Sequence, residues 1–110
     1  MFCEFARFAL PLGTIIATSA LPTSTALADP ANGERLARVW CASCHVVAPD
    51  QKGASADVPT FETIARMPGF DRTKIAFFLL DPHPKMPNLS LSRTEASDLA
   101  DYIAKLGAAR

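Results

Sequence analysis

The stretch W-C-A-S-C-H, residues 40–45, decides what the rest of this chain has to build. It holds two cysteines, Cys41 and Cys44, three positions apart, and His45 follows directly after the second. Such a pair occurs in zinc sites, in redox-active dithiols and at haem attachment points. Each of these needs different partners elsewhere in the chain, so the surrounding sequence discriminates between them.

Zinc and dithiol chemistry both fit the surroundings poorly. A structural zinc site uses four Cys or His ligands, usually as two separated pairs. Only His83 remains as a fourth ligand, and the neighbours Cys44 and His45 can hardly both reach one tetrahedral metal. A thioredoxin-like dithiol opens a helix after a strand, whereas this pair ends a predicted helix.

The C-x-x-C-H pattern is that of c-type haem attachment. A spacing of three places the thiols of Cys41 and Cys44 on the same side of a helical turn, where they can form thioether bonds with the two vinyl groups of haem. His45 then lies under the ring and reaches the iron. The motif predicts one covalently attached haem c, with His45 as an axial iron ligand.

The second axial position of the iron has several candidates. Met86 lies in Pro84-Lys85-Met86-Pro87, where proline on either side would fix the direction of the thioether. Met67 is nearer to His45 in sequence and is predicted to fill a gap in the core. His83 could ligate the iron or be a solvated loop residue, and an open position is the remaining alternative. We predict Met86 as the ligand.

The N-terminus has the pattern of an export signal. Residues 8–28 carry no charge, Arg7 precedes them, and they close with Ala26-Leu27-Ala28. A basic start, an apolar core and an A-x-A ending are typical of a secretory signal peptide. We therefore expect residues 1–28 to be cleaved, leaving residues 29–110 as a periplasmic domain without stable membrane insertion. The alternative is an uncleaved membrane anchor, since the uncharged run is long enough to span a bilayer.

Length and charge narrow the remaining possibilities. A chain of 110 residues is enough for one small domain. Its 11 basic residues are balanced by 11 acidic ones, without a basic cluster that would neutralise a phosphate backbone. Nucleic acid is therefore not an expected partner.

Helical periodicity predicts an all-α domain. Four helices are expected, over residues 31–44, over 61–66, from Asp71 or Thr73 to Pro82, and from the capping box at 92–95 to a stop at Gly107. No segment shows strict alternation, so strands are not expected. The first helix should present an apolar face made by Leu36, Val39 and Trp40.

The sequence resembles the small class I bacterial cytochromes c over residues 29–106. The matching features are Gly33 eight positions before Cys41, the C-A-S-C-H motif, Pro59, Met86-Pro87 and a final helix with Tyr102. The resemblance implies three or four helices around the haem, with the N- and C-terminal helices crossing. Gly33 would then face Tyr102, with Trp40 and Leu99 in the same packing region. Ala37 stands where the family often has an aromatic residue.

The resemblance also implies partners for the haem. The carbonyl of Pro59 would accept a hydrogen bond from the His45 ring, although Pro59 could also be an ordinary loop residue. Aromatic and aliphatic side chains are expected in the haem pocket or core, where they would exclude water and raise the redox potential: Trp40, Phe61, Phe77, Phe78 and Leu89.

These features predict an electron-transfer protein and not an enzyme. With His45 and Met86 both bound, the iron has no vacant position and can cycle by one electron. Its partners would be periplasmic or membrane-bound oxidases, reductases or dehydrogenases. An alternative is a small haem c subunit of a periplasmic dehydrogenase complex. A gas sensor or peroxidase would need an open position on the iron.

Overall fold

Four α-helices and no strand make up the described part of the chain. The computed structural model describes residues 9–23, 26–81 and 85–109. The helices are α1 (Pro30–Trp40), α2 (Phe61–Ala65), α3 (Arg72–Leu80) and α4 (Arg93–Ala108). The prediction of an all-α fold is confirmed over these residues. The first helix ends earlier than residue 44, because the backbone turns at Cys41, whose carbonyl accepts from the N–H groups of both Cys44 and His45.

Every helix begins at a side chain that accepts a hydrogen bond from the first turn. The four caps are Asp29, Thr60, Asp71 and Ser92. The predicted capping box of α4 is present: Ser92 Oγ accepts from the Glu95 backbone N–H at 3.1 Å, and Glu95 Oε2 accepts from the Ser92 N–H at 2.8 Å. Caps of this kind stabilise a helix by about 0.5–2 kcal/mol, which explains how such short helices start at defined residues.

Helix α4 is the centre of the domain, because the three other helices all pack on it. Its buried apolar side chains are Ala96, Leu99, Ala100, Tyr102 and Ile103. Leu36 and Ala37 of α1 and Phe61 of α2 join them in one core. Burying a side chain of the size of leucine or phenylalanine contributes about 1.5–3 kcal/mol. The helices are therefore held by a shared apolar core.

A glycine sets the distance between α1 and α4. A Cβ atom at Gly33 would collide with the carbonyl oxygen of Asp98 and would lie 2.8 Å from Tyr102 Cβ. Only a residue without a side chain allows this approach. The prediction that Gly33 faces Tyr102 is confirmed.

Gly107 also has a packing role, and the prediction that it ends the last helix is wrong. Helix α4 continues to Ala108. A Cβ atom at Gly107 would lie 2.8 Å from Ala65 Cβ, so the glycine allows α2 to approach the end of α4.

The predicted apolar face of α1 is only partly correct. Leu36 is buried, but Val39 is 63% exposed and Trp40 is 55% exposed. The buried face consists instead of Gly33, Leu36 and Ala37, at the i, i+3 and i+4 spacing of a helix face in contact with a partner helix. Trp40 is the last residue of α1. It is not among the hydrophobic residues packed against the core that contains Leu99.

The described residues before α1 do not join the core. Residues 9–23 contain no helix, and apolar side chains such as Leu12 and Ile15 are almost fully exposed. Among the helices that the structure describes, none combines the length and the apolar character needed to cross a membrane. Cleavage after Ala28 stays a prediction.

Candidate haem-binding site

An apolar cavity of about 380 Å³ lies beside the cysteine motif, a size typical of small-molecule and cofactor sites. Its lining brings together six residues that the sequence singled out: Cys41, His45, Pro59, Phe61, Phe78 and Met86. The other lining residues are Ile64, Met67, Lys74, Ile75, Leu79 and Ile103. Helical spacing marks several of these as apolar positions, but it does not tell a cavity wall from a core position.

His45 is held in one orientation by two neighbours. Its Nδ1 atom is 2.7 Å from the carbonyl oxygen of Pro59. A carbonyl can only accept, so Nδ1 carries the proton and donates it. The ring also packs against Phe61, with centroids 5.4 Å apart and planes tilted by 50°. The lone pair of Nε2 is therefore the one available to a metal.

The turn that carries the motif is held together by a side chain that sequence reasoning missed. The Gln51 amide Nε2 donates to the carbonyl oxygens of Ala42 and His45, each at 2.9 Å, and its Oε1 accepts from the Val47 N–H at 2.9 Å. These bonds link both sides of the C-x-x-C-H turn to one rigid amide. Gln51 lies in a loop of ordinary turn composition, so nothing in its spacing distinguished it.

The two cysteines have different environments. Neither cysteine is in a disulfide, and Cys41 is buried whereas Cys44 is exposed. Burial raises the pKa of the Cys41 thiol to about 11, and the neighbouring Cys44 adds to this rise. Cys41 lines the cavity, whereas Cys44 lies outside the lining residues.

Two methionines line the cavity together with His45. Met86 is partly buried and Met67 is 44% exposed. The prediction that Met67 fills a gap in the core is therefore wrong, because its side chain lies at the cavity. His83, the other candidate ligand, and Pro84, which precedes the Met86 turn, lie outside the described residues.

Of the predicted pocket or core residues, Trp40 and Phe77 lie elsewhere, whereas the placement of Leu89 at the core is confirmed. Trp40 is half-exposed and is not among the lining residues of the cavity. Phe77 is 67% exposed and lines a second hollow, between α3 and α4, so it is not a core residue. Leu89 is partly buried and packs against the core. On α3, the cavity is lined by Lys74, Ile75, Phe78 and Leu79, and Phe77 is not among its lining residues.

The residues around the cavity fit a haem better than a bare metal ion. Within the described chain, no group of three or more His, Cys, Asp or Glu side chains could hold a metal ion. A four-ligand zinc site therefore has no support there. The imidazole of His45, the thioether sulfurs of Met67 and Met86 and the thiol of Cys41 instead border a space walled by Phe61, Ile75 and Phe78. Cys44 lies three residues after Cys41 in the motif, outside the lining residues. This set matches the axial and covalent attachments of haem c and its apolar ring.

Comparison with known proteins agrees with this donor set. The chain is 56% identical over 92 residues to cytochrome c-552 of Bradyrhizobium diazoefficiens, and the aligned part covers 84% of this chain and 88% of that relative. No family profile and no solved structure matches the chain. Identity of this extent, over nearly the full length of both proteins, shows common ancestry and a common cofactor. The chain belongs to the class I c-type cytochromes, which carry covalently bound haem c with its iron.

Proposed function

We propose that this cytochrome is a periplasmic monohaem electron carrier whose iron is held by His45 and Met86. Haem c held by histidine and methionine supplies a reversible one-electron couple. The observation that carries the proposal is that both side chains line the same apolar cavity, with Nδ1 of His45 bonded to the Pro59 carbonyl so that Nε2 is the nitrogen left for the iron. Two protein ligands would leave the iron no position for a substrate, as an electron carrier requires.

The surroundings of His45 suit an axial ligand. The Nδ1–H bond to Pro59 gives the imidazole one tautomer and one ring orientation. Such a bond also makes the other nitrogen more basic and hence a stronger ligand. Because the acceptor is a backbone carbonyl, its position depends on the loop before α2 and not on a movable side chain.

Met86 suits the opposite ligand better than Met67 does. It is followed by Pro87, which restricts the backbone of the loop, and its side chain is the less exposed of the two. A thioether is a soft ligand that favours the ferrous state and raises the redox potential. The apolar walls around it, including Phe78 and Leu79, disfavour the additional charge of the ferric state.

The location and the covalent attachment are part of the same proposal. Residues 1–28 act as a cleaved export signal, and Cys41 and Cys44 form the two thioethers. Helices α1 and α4 take the crossed arrangement of the family, with Gly33 at the contact. The balanced charge of the chain favours weak docking to redox partners through apolar contacts, with little electrostatic steering.

Absorption spectroscopy of the exported holoprotein tests the ligand assignment. The oxidised wild type should show the weak far-red band of a ferric sulfur ligand. Met86→Ala should abolish this band and allow the reduced protein to bind carbon monoxide. Met67→Ala is the matched control and should change neither property. Loss of the band in Met67→Ala and its retention in Met86→Ala would assign the ligand to Met67 instead.

A further inference from the structure

Asp98 is a buried charge without a charged partner in the described part of the chain. It lies on α4, is 3% exposed, and is the one polar or charged residue among those described that is buried. Its Oδ1 accepts from the backbone N of Asp29 at 2.7 Å, and its Oδ2 accepts from Asn32 Nδ2 at 2.8 Å. The ion pairs of the described residues do not include it. Two neutral donors are modest compensation for a buried carboxylate.

The first of these donors has a special place in the sequence. Asp29 is the residue that follows Ala26-Leu27-Ala28, the predicted recognition sequence for cleavage of the export signal. Its nitrogen is an amide only as long as the Ala28–Asp29 peptide bond is intact. Once that bond is cut, the same nitrogen becomes the amino terminus.

We propose that cleavage of the signal peptide creates the missing cation for Asp98. A leader peptidase hydrolyses the Ala28–Asp29 bond with one water molecule: the hydroxyl goes to the carbonyl carbon of Ala28 and the proton to the nitrogen of Asp29. At neutral pH the new acid loses a proton and the new amine gains one. A neutral N–H donor is thereby replaced by an α-ammonium group with three donors, ion-paired with Asp98. This inference rests on the proposed export of the chain.

The structure allows this pairing without a rearrangement. Asp29 is fixed by the parts of the residue that cleavage leaves intact: its side chain accepts from the N–H groups of Ala31 and Asn32, and its carbonyl accepts from the Gly33 N–H at 3.0 Å. The nitrogen therefore stays at hydrogen-bond distance from Asp98.

The neighbouring carboxylates of α4 are already engaged. Glu95, one turn before Asp98, accepts from the Ser92 N–H at 2.8 Å. Asp101, one turn further along the helix, is already paired with Arg72 at 2.6 Å. The new ion pair would join the first residue of the mature chain to α4, beside the close contact of Gly33 with the Asp98 carbonyl. The mature protein should thus be held more firmly between α1 and α4 than the precursor is.

Reactivity of the amino terminus tests the pairing in the exported holoprotein. Intact mass should first show a chain that begins at Asp29. Acylation of the α-amine at pH 7 is then followed by mass spectrometry of the N-terminal peptide. An opposite charge at this distance raises an amine pKa by about one unit or more, so Asp98→Asn should accelerate labelling by about tenfold. Asp57→Asn removes an exposed loop carboxylate and is the matched control, with an unchanged rate.

A second variant keeps the test independent of whether Asp98→Asn folds. A chain that retains Ala28 moves the ammonium by one residue while keeping Asp98, so its amine should be labelled about tenfold faster than that of the mature chain. Retaining Ala28 should also lower the denaturant midpoint when Asp98 is present and change it little in Asp98→Asn.

Three results would overturn the pairing. The first is an equal rate of amine labelling with and without Asp98, and the second is slow labelling of the chain that retains Ala28. The third is an intact mass that corresponds to a chain beginning at a residue other than Asp29. The haem spectrum is recorded for every variant. A wild type without the sulfur-ligand band would count against the electron-carrier proposal and would leave the amine result unaffected.

Discussion

The hydroxyl of Tyr102 donates a hydrogen bond of 2.6 Å to the carbonyl oxygen of Val47. Both residues are buried, and they are 55 positions apart in sequence. The bond joins α4 to the segment that directly follows the C-x-x-C-H turn. The helix that organises the core thus also helps to fix the position of His45.

Removal of this hydroxyl should weaken the fold. In Tyr102→Phe the ring still packs, but the carbonyl of Val47 is left buried without this partner. An unsatisfied buried group costs about 1–3 kcal/mol, so we expect the free energy of unfolding to fall by an amount in that range. Denaturant titration of the holoprotein measures it. A variant as stable as the wild type would mean that the Val47 carbonyl readily finds water.

The same hydroxyl should give the protein a characteristic loss of stability in alkali. Burial raises the pKa of Tyr102, and the negative charge of Glu34 adds to the rise. The folded pKa therefore lies above the unfolded value of about 10. The stability that the protonated Tyr102 hydroxyl contributes is complete below the unfolded pKa and is lost as the pH rises through the folded pKa.

Comparison with Tyr102→Phe isolates this effect from the titration of lysines. We expect the stability difference between the two proteins to be constant through neutral pH and to shrink above about pH 10. The measurement is a series of denaturant titrations between neutral and alkaline pH. A difference that grows with pH would contradict the assigned direction of the pKa shift.

Two effects of Gly33→Ala on the stability of the protein act in opposite directions. Helix propensity alone favours alanine over glycine by about 1 kcal/mol. The new methyl group would, however, collide with the Asp98 carbonyl and with Tyr102 Cβ. The first is a backbone group of α4 and the second is bonded directly to that backbone, so neither can move aside alone. Overpacking of this kind costs about 1–3 kcal/mol, so we expect a net loss of stability with a partial opening of the α1–α4 contact.

Gly53→Ala is the matched control for this substitution, because a Cβ atom there would meet nothing within 4 Å. It should leave the denaturant midpoint almost unchanged. Equal midpoints for both variants would show that the two helices can separate at little cost.

The features that could be predicted from the sequence are mostly local. The capping box at Ser92 and Glu95 involves residues three apart, so its pattern is visible in the chain itself. The C-x-x-C-H motif is equally local. Met86 was a distant candidate, marked by the prolines around it, and the structure places it at the same cavity as His45.

The features that could not be predicted depend on where one element meets another. Periodicity defines a helix face, but it does not say how far along that face the partner extends, so Trp40 and Val39 were wrongly placed inside. Gly107 was interpreted as a helix stop from its residue type alone. Its contact with Ala65 could not be predicted, because it joins two different helices. Gln51 was missed for the same reason, since its partners are backbone groups brought together by a loop.

Gln51 should control the precision of the haem site as well as stability. Gln51→Glu keeps an acceptor for the Val47 N–H but removes the donors that bind the carbonyls of Ala42 and His45. A fully buried carbonyl left unpaired costs about 1–3 kcal/mol, and these part-buried carbonyls should cost less because water can reach them. We therefore expect lower stability, together with a looser C-x-x-C-H turn and a shifted reduction potential. Potentiometry and denaturant titration measure the two effects.

The neighbouring residue provides the control for Gln51. Lys52→Gln changes an exposed side chain of the same loop, so both the potential and the stability should remain close to those of the wild type. If Gln51→Glu lowered stability without moving the potential, the amide would serve only to close the loop. A shift in both would show that the orientation of His45 depends on it, since the His45 carbonyl is one of the three acceptors, with those of Ala42 and Gly53, that lose their donor.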